Sequence, residues 1–190
     1  MNSKENQKFE VFENGDKIID EFGTQYWFKG DKQHRDGDLP AVIHKDGSRE
    51  WIKNNQFHRD NDKPAIIDGD GTQEWWENGL LHRKNDNPAV IFINGTQEWY
   101  QNSELHRDND QPAIINYNEK QKEWYQFGLL HRENDQPAII HINELKWYQN
   151  GQLHRNNNKP AIITKNGELY WYINGVKQQN GELDADYIKG

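Results

Sequence analysis

The sequence predicts an all-β fold, an elongated repeat protein of antiparallel β-hairpins with about 24 residues per repeat. First, seven of the eight tryptophans recur in one column, at positions 27, 51, 75, 99, 124, 147 and 171. Second, six His-Arg pairs and six Pro-Ala pairs recur in step with them. Third, turn dipeptides such as Asn78-Gly79 follow short aromatic segments, which is a strong hairpin signal. Self-similarity of this length is typical of repeats that bury their apolar faces on one another.

Composition narrows the classes of function. The chain has 190 residues, a net charge of −8, 33% hydrophobic and 12% aromatic residues, and no cysteine. Direct nucleic-acid binding is disfavoured because it needs clustered Lys and Arg. No apolar run approaches the roughly 20 residues of a spanning helix, and the first residues are polar, so we predict a cytoplasmic protein without a membrane span. We predict no cofactor.

The repeats divide the chain into three parts. Residues 1–26 are predicted to form an N-terminal tail and an abbreviated capping hairpin with Asn14-Gly15 at its turn. Residues 27–170 contain six tandem repeats. Residues 171–190 are predicted to form a C-terminal capping hairpin, in which Gln178-Gln179 replaces His-Arg, and a tail. Residues Leu183 to Gly190 suit either a short helical turn or that tail. Both ends depart from the pattern as capping repeats do.

The spacings separate a constant part of each repeat from a variable one. Trp to His is always seven residues and His to Pro always six, whereas Pro to the next Trp varies from ten to twelve. All length variation therefore follows Pro-Ala-Ile-Ile. We predict an exposed loop tip there, where insertions cost little.

The Asn-Gly turn fixes a hairpin register. With a two-residue loop, Trp76 faces Leu81, and Glu74 faces Arg83. The same register places Glu opposite Arg in four repeats and makes an apolar seam of the second aromatic column and Leu. The four predicted ion pairs are Glu50 with Arg59, Glu74 with Arg83, Glu98 with Arg107, and Glu123 with Arg132; in the sixth repeat Lys146 would face Arg155.

An even number of strands keeps equivalent residues on the same end of every repeat. We predict two strands per repeat, with the polar segment before Pro as a bend. Two strands would advance the sheet by roughly 10 Å per repeat. The alternative is a parallel β-solenoid, which would advance by about 5 Å per coil.

The pattern resembles the MORN-type repeats, and most closely the MORN-like arrays of otherwise uncharacterised bacterial and phage proteins. The segments Trp99-Tyr100-Gln101-Asn102, Leu105-His106-Arg107 and Pro112-Ala113 carry the resemblance, which covers roughly residues 9–176. The chain departs from ordinary MORN units, which have Gly-x-Gly where this chain has His-Arg and an acidic bend. The resemblance implies an elongated β-sheet scaffold for protein contacts and no catalysis.

Two sets of repeated polar residues are candidate sites. The His-Arg pairs are candidate binding residues: His58, Arg59, His82, Arg83, His106, Arg107, His131 and Arg132. We favour a structural role for them, His beside Trp and Arg with Glu or a loop Asp. A metal site is disfavoured because equivalent His atoms would lie about 10 Å apart, whereas zinc ligands lie about 2 Å from one ion. The second set is an acidic rim: Asp60, Asp62, Asp86, Asp108, Asp110 and Asp135.

Catalysis is disfavoured because the conspicuous residues are copied in every repeat. Serine occurs only at 3, 48 and 103, in turns or the tail, and the off-pattern His44 and His141 have no evident partner in the sequence. The favoured function is a non-enzymatic scaffold that binds a protein partner. One alternative is an acidic nucleic-acid mimic that inhibits a nuclease or defence enzyme. Another is carbohydrate or small-ligand binding through exposed Trp.

Overall fold

A computed structural model describes residues 8–12 and 15–179. These residues form short β-strands and no helix, so the predicted all-β fold of antiparallel hairpin repeats is confirmed. Contacts divide the chain into two compact halves, Met1–Ile93 and Asn94–Gly190, with the boundary inside the third repeat. The predicted turn at Asn14-Gly15 falls in part, and the tail from Leu183 entirely, outside the described residues.

The N-terminal half contains one antiparallel sheet and two separate hairpins. The sheet order is β1-β2-β3-β5-β6-β9-β10-β13, and β4 pairs with β3. The separate hairpins are β7–β8 and β11–β12. The strands are β1 Lys8–Phe12, β2 Gly15–Ile19, β3 Gln25–Lys29, β4 Lys32–Gln33, β5 Val42–Ile43, β6 Arg49–Glu50, β7 Ile52–Lys53, β8 Gln56–Phe57, β9 Ile66–Ile67, β10 Gln73–Glu74, β11 Trp76–Glu77, β12 Leu80–Leu81 and β13 Val90–Ile91.

The C-terminal half repeats this arrangement. Its sheet order is β14-β17-β18-β21-β22-β25-β26, and its separate hairpins are β15–β16, β19–β20, β23–β24 and β27–β28. The strands are β14 Gln97–Glu98, β15 Tyr100–Gln101, β16 Glu104–Leu105, β17 Ile114–Asn116, β18 Gln121–Glu123, β19 Tyr125–Gln126, β20 Leu129–Leu130, β21 Ile139–His141, β22 Glu144–Lys146, β23 Tyr148–Gln149, β24 Gln152–Leu153, β25 Ile162–Thr164, β26 Leu169–Tyr170, β27 Tyr172–Ile173 and β28 Val176–Lys177.

Each full repeat therefore contains four short strands, and the prediction of two is wrong. In the second repeat, β7 and β8 form a hairpin of their own, whereas β9 and β10 belong to the sheet. From the second repeat to the sixth, the chain leaves the sheet at the Trp, whose backbone N–H donates to an Ala carbonyl, as from Trp51 to Ala65 at 2.7 Å. Four is also an even number, so equivalent residues keep their orientation. The recorded strand pairs are antiparallel, which rules out the parallel solenoid.

The predicted hairpin register is confirmed for the pairs next to the turn. Trp76 lies opposite Leu81 and Glu77 opposite Leu80. Asn78 and Gly79 have φ angles of 52° and 80°, as a type I′ turn requires. The same pairing builds the predicted apolar seam in other repeats, with Ile52–Phe57, Tyr100–Leu105, Tyr125–Leu130 and Tyr148–Leu153 opposed.

The polar segment before each Pro is the predicted bend. Two consecutive residues there have left-handed backbones, as at Asn61 and Asp62 with φ of 64° and 54°. Asn and Asp enter this conformation more readily than most residues because their short polar side chains hydrogen-bond locally. The recurrence of Asn-Asp is thus explained by backbone geometry, and the bend brings its carboxylates to the surface.

The buried core is a thin layer of Trp and Ala. Six tryptophans of the column are buried, Trp171 being the exception. The Ala of every Pro-Ala pair is 0% exposed: Ala41, Ala65, Ala89, Ala113, Ala138 and Ala161. The Ala backbone is bonded on both sides, since Ala65 accepts from Trp51 and its own N–H donates to the Glu74 carbonyl at 2.8 Å. So small a core explains the low hydrophobic content.

The variable segments are the exposed tips of sheet hairpins, as predicted. The tip between β17 and β18 has one residue more than the regular spacing, and the tip between β21 and β22 has one fewer. Large side chains project there, with Tyr117 60% and Ile142 50% exposed.

Candidate functional site

The Arg of each His-Arg pair lies over the Trp ring of its own repeat. In the second repeat the Arg59 guanidinium carbon is 3.6 Å from the centroid of Trp51. Its Nη1 donates to the Pro64 carbonyl at 3.2 Å. Equivalent stacking at 3.7–3.8 Å recurs for Arg35, Arg83, Arg107, Arg132 and Arg155. The arrangement shields one face of each indole and adds a cation–π attraction.

In the second, third, fifth and sixth repeats the same Arg binds an acidic bend residue of the preceding repeat. Arg132 donates from Nε and Nη2 to the two carboxylate oxygens of Asp110 at 2.8 and 2.9 Å. This two-point geometry is the strong form of an Arg–carboxylate bond. It recurs for Arg59 with Asp38, Arg83 with Asp62, and Arg155 with Asp135. Each of these Arg residues therefore joins two repeats.

The neighbouring cations stabilise the ionised form of these carboxylates. Hydrogen bonds from Arg59 and Lys63 lower the pKa of Asp38 to about 2. Arg155 and Lys159 lower the pKa of Asp135 to about 2 in the same way. These aspartates are ion-paired at neutral pH.

The predicted Glu–Arg pairs are wrong for Arg59, Arg83 and Arg132, whose carboxylate partners are bend aspartates. Glu74 belongs to β10, where it lies opposite Ile66 and Val90. Its carboxylate accepts from Trp76 Nε1 at 2.7 Å, and burial raises its pKa. The register argument fails because the hairpin ladder begins only after Trp75, where the chain leaves the sheet, and Glu74 still belongs to the sheet.

The His of each pair also connects repeats. His58 Nε2 lies 3.0 Å from an Asp60 carboxylate oxygen, and its Nδ1 accepts the backbone N–H of Asn78, in the next hairpin turn, at 3.2 Å. This network assigns the ring proton to Nε2. The same two bonds recur for His34, His106, His131 and His154. His82 differs, because its Nδ1 has no partner among the described residues and Lys84 replaces the acid, pairing instead with Glu77.

Backbone and indole bonds complete the connection between repeats. The second turn residue of a hairpin donates to the preceding hairpin, as from Gly79 to the Phe57 carbonyl at 2.9 Å. The indole N–H also donates to a bend carbonyl of the preceding repeat, as from Trp75 to Asp62 at 3.0 Å. We call the repeated set of Trp, His, Arg and bend-acid contacts the inter-repeat frame. Most of the candidate binding residues predicted from sequence lie in it.

The acidic rim is largely a row of ion pairs and charged hydrogen bonds. Asp60 and Asp108 bind the His Nε2 of their own repeat. Asp62, Asp110 and Asp135 bind Arg of the following repeat. Asp86 lies in the equivalent bend of the third repeat and is exposed. Because a nucleic-acid mimic needs uncompensated negative charge, this pairing disfavours that hypothesis.

The carbohydrate hypothesis required an exposed Trp column, and that premise is wrong for the six buried members of the column.

Within the described residues, no group of three or more His, Asp and Glu is arranged to hold a metal ion. His44, whose partner was not evident from the sequence, lies with its Nε2 2.9 Å from Glu50 Oε1. Across residues 8–12 and 15–179, no helix has the length and apolarity needed to cross a bilayer.

No protein-family model matches the chain, and the search for curated proteins of similar sequence finds none. The likeness to MORN-type arrays therefore stays a prediction.

The surface differs between repeats at two places in the C-terminal half. One is a groove of about 590 Å³ at the sheet-hairpin tips, lined by residues from two neighbouring tips. Its lining is mixed, since Ile139 and Ile142 lie beside Glu119, Lys120, and an ion pair in which Lys146 Nζ is 2.6 Å from Glu144.

The second place is the row of separate hairpins in the same half. Phe127, Leu129 and Val176 are 63%, 50% and 65% exposed there. The sequence signal for this surface was departure from the repeat, because Phe127 occupies a turn position that holds Asn in five others.

Proposed function

We propose that this protein is a non-enzymatic scaffold that binds a protein partner through the side chains in which its repeats differ. One observation carries the proposal: the repeated His and Arg are engaged in the inter-repeat frame, whereas large exposed apolar side chains stand at variable positions. Tyr117, Phe127 and Ile142 are each at least half exposed. Because the repeated residues are engaged in contacts between repeats, a partner would be recognised by the exposed side chains that differ from one repeat to the next.

The exposed residue types suit a protein partner. Aromatic and aliphatic side chains grouped on an otherwise polar surface mark interaction sites, and aromatic residues contribute much of interface energy. In the groove, the apolar Ile142 stands beside charged groups such as Lys120. An apolar centre with a polar rim is the usual composition of a protein interface. A chain without cysteine needs no oxidising compartment, in keeping with the predicted cytoplasmic location.

The test is affinity capture from source-cell extract with three versions of the full chain. The first is the unaltered protein. The second carries Tyr117→Ser, Phe127→Asn, Leu129→Gln and Ile142→Asn together. The third is the matched frame variant Arg59→Lys, which keeps the charge and alters the frame alone.

We expect one protein to be captured by the unaltered chain and by Arg59→Lys, and not by the fourfold variant. Circular dichroism must show that all three remain folded. Equal capture by the fourfold variant would contradict the proposal, as would its loss in Arg59→Lys.

A further inference from the structure

Phe127 departs from the residue type found at the same turn position of the other separate hairpins, which is Asn in all five. It is the first turn residue of the fifth repeat and has a left-handed backbone with φ of 48°. The equivalent positions are Asn54, Asn78, Asn102, Asn150 and Asn174, with φ between 47° and 53°. Asn tolerates this conformation, whereas a bulky aromatic residue there is a true outlier. Backbone strain of this kind is typical of functional positions.

The side chain of Phe127 gains little burial in return. Its ring stacks on His106 with centroids 4.4 Å apart and an interplanar angle of 22°. The opposite side faces solvent, and 63% of the residue is exposed. Its backbone N–H donates to His106 Nδ1, as the Asn does in other repeats. Asn could therefore fill the same place in the fold with less strain.

Phe127 stands in a continuous row of hairpins. Gly128 donates to the Leu105 carbonyl, Gly151 to that of Leu130, and Gly175 to that of Leu153, each at 2.9 Å. Leu129 lies against Gly151, with Cδ2 3.3 Å from where a Cβ would stand. Val176 continues the exposed apolar side chains in the last hairpin. We call residues 100–105, 125–130, 148–153 and 172–177 the neutral hairpin row.

The row is depleted of charge. In a protein with 28% charged residues, its charged members are Glu104 and Lys177. The corresponding segments of the N-terminal half, 28–33, 52–57 and 76–81, carry Lys29, Asp31, Lys32, Lys53 and Glu77. Gln101, Gln126 and Gln149 stand where that half has Lys29, Lys53 and Glu77. Depletion of charge together with an aromatic residue is the signature of an interface core.

We propose that the neutral hairpin row is the docking surface for a different protein, and that Phe127 inserts into an uncharged apolar pocket of that partner. This rests on the proposed function and names its surface. A charged pocket would leave its ions desolvated against Phe127 and Gln126. A second copy of this chain fits poorly, since the clefts that it could offer include one lined by Asp60 and Arg83 and one lined by Lys120, all of them ionic.

The first test places a photo-reactive benzoyl-phenylalanine at position 127 of the full chain and irradiates it in source-cell extract. The matched control carries the same probe at Asn54. We expect an adduct with one foreign protein from position 127 and none from 54. Its yield should stay within about twofold between low and roughly 0.5 M salt, because the contact is uncharged.

Three outcomes would overturn the inference. These are the absence of an adduct at 127, an adduct of twice the chain mass that indicates a second copy, and a tenfold loss of yield in high salt.

The second test is Phe127→Asn. We expect the melting temperature to stay or rise, because strain is relieved, while capture of the cross-linked protein falls at least tenfold. A lower melting temperature would assign Phe127 to the fold instead. If Phe127→Asn retains capture and Tyr117→Ser with Ile142→Asn loses it, the scaffold proposal survives and this inference fails. Retention by both variants would overturn both.

Discussion

Trp75→Ala in the middle of the array should destabilise the protein more than Trp171→Ala at its end. Trp75 is buried, its indole N–H is bonded to Asp62, and Arg83 lies 3.8 Å above its ring. Its backbone also donates to Ala89. Trp171 keeps the indole bond, to Asn158 at 3.2 Å, but Gln179 stands where other repeats have the stacking Arg.

The expected magnitude follows from these contacts. Burying a Trp side chain removes about 200 Å² from water, which at about 25 cal/mol/Å² is about 5 kcal/mol and agrees with the usual 3–5 kcal/mol for such truncations. The lost cation–π contact, worth about 1 kcal/mol, is included in that range. We expect a loss of about 5 kcal/mol for Trp75→Ala. For Trp171→Ala, which lacks the Arg and is less buried, we expect about 2–3 kcal/mol.

The assay is urea unfolding followed by far-UV circular dichroism, because Trp fluorescence would change with the variant itself. The difference in unfolding free energy between the two variants should be about 2–3 kcal/mol. Equal losses would refute the stacking of interior repeats as the source of stability.

Three further predictions follow from the frame and the core. Arg132→Lys should lower the unfolding free energy by about 1–2 kcal/mol, because Lys can form neither the paired bonds to Asp110 nor the flat stacking on the Trp124 ring. A double-mutant cycle with Asp110→Asn should show coupling between the two residues. Additive effects of the two substitutions would contradict this prediction. The folded pKa of Asp135 is about 2, below its unfolded value, so its contribution to stability is present above about pH 4 and is lost as pH falls towards 2. Asp135→Asn should therefore make the unfolding free energy less dependent on pH in that window. We expect this effect to be smaller than about 1 kcal/mol, because the ion pair is partly exposed. Ala113→Leu should cost about 1–3 kcal/mol by overpacking, and a neutral melting temperature would show that the Ala column is not tightly packed.

The hairpins could be predicted from sequence because their determinants are local. Asn78-Gly79 sets a turn type, and the turn type sets the pairing of Trp76 with Leu81. The predicted pairing of Glu74 with Arg83 was wrong, because the pattern within a repeat does not show where the hydrogen-bonded ladder of the hairpin ends. The contacts between repeats depend on residues about 21 positions apart and cannot be derived from one hairpin.

The sequence does contain a signal for the Arg–Asp contact, in the positions where the last repeats depart from the repeat pattern. Asn158 replaces the bend aspartate in the sixth repeat, and the next repeat has Gln179 in place of Arg. At the other end, Arg35 has no complete repeat before it, and its buried Nε has no partner among the residues that the structure describes. Burial also lowers the pKa of Arg35. Aspartate and arginine are thus lost together at the C-terminal end of the frame, whereas Arg35 is kept at the other end.

The alternation of side chains between the two faces of a strand could not show whether the Trp column is buried. Trp75 and Trp76 are adjacent, so each face of the strand carries a large side chain. The structure decides the question, because Trp75 is buried and its backbone N–H donates to the carbonyl of the fully buried Ala89. Phe127 was visible in the sequence only as a departure from Asn, and its strain required the backbone angle.

The division between frame and recognition surface is tested most directly by partner capture with two single variants measured side by side. Arg59→Lys alters the frame, and Phe127→Asn alters the neutral hairpin row. We predict that Arg59→Lys melts at a lower temperature and captures its partner normally below that temperature, whereas Phe127→Asn stays as stable and loses the partner. Loss of capture in folded Arg59→Lys, with full capture by Phe127→Asn, would contradict the division.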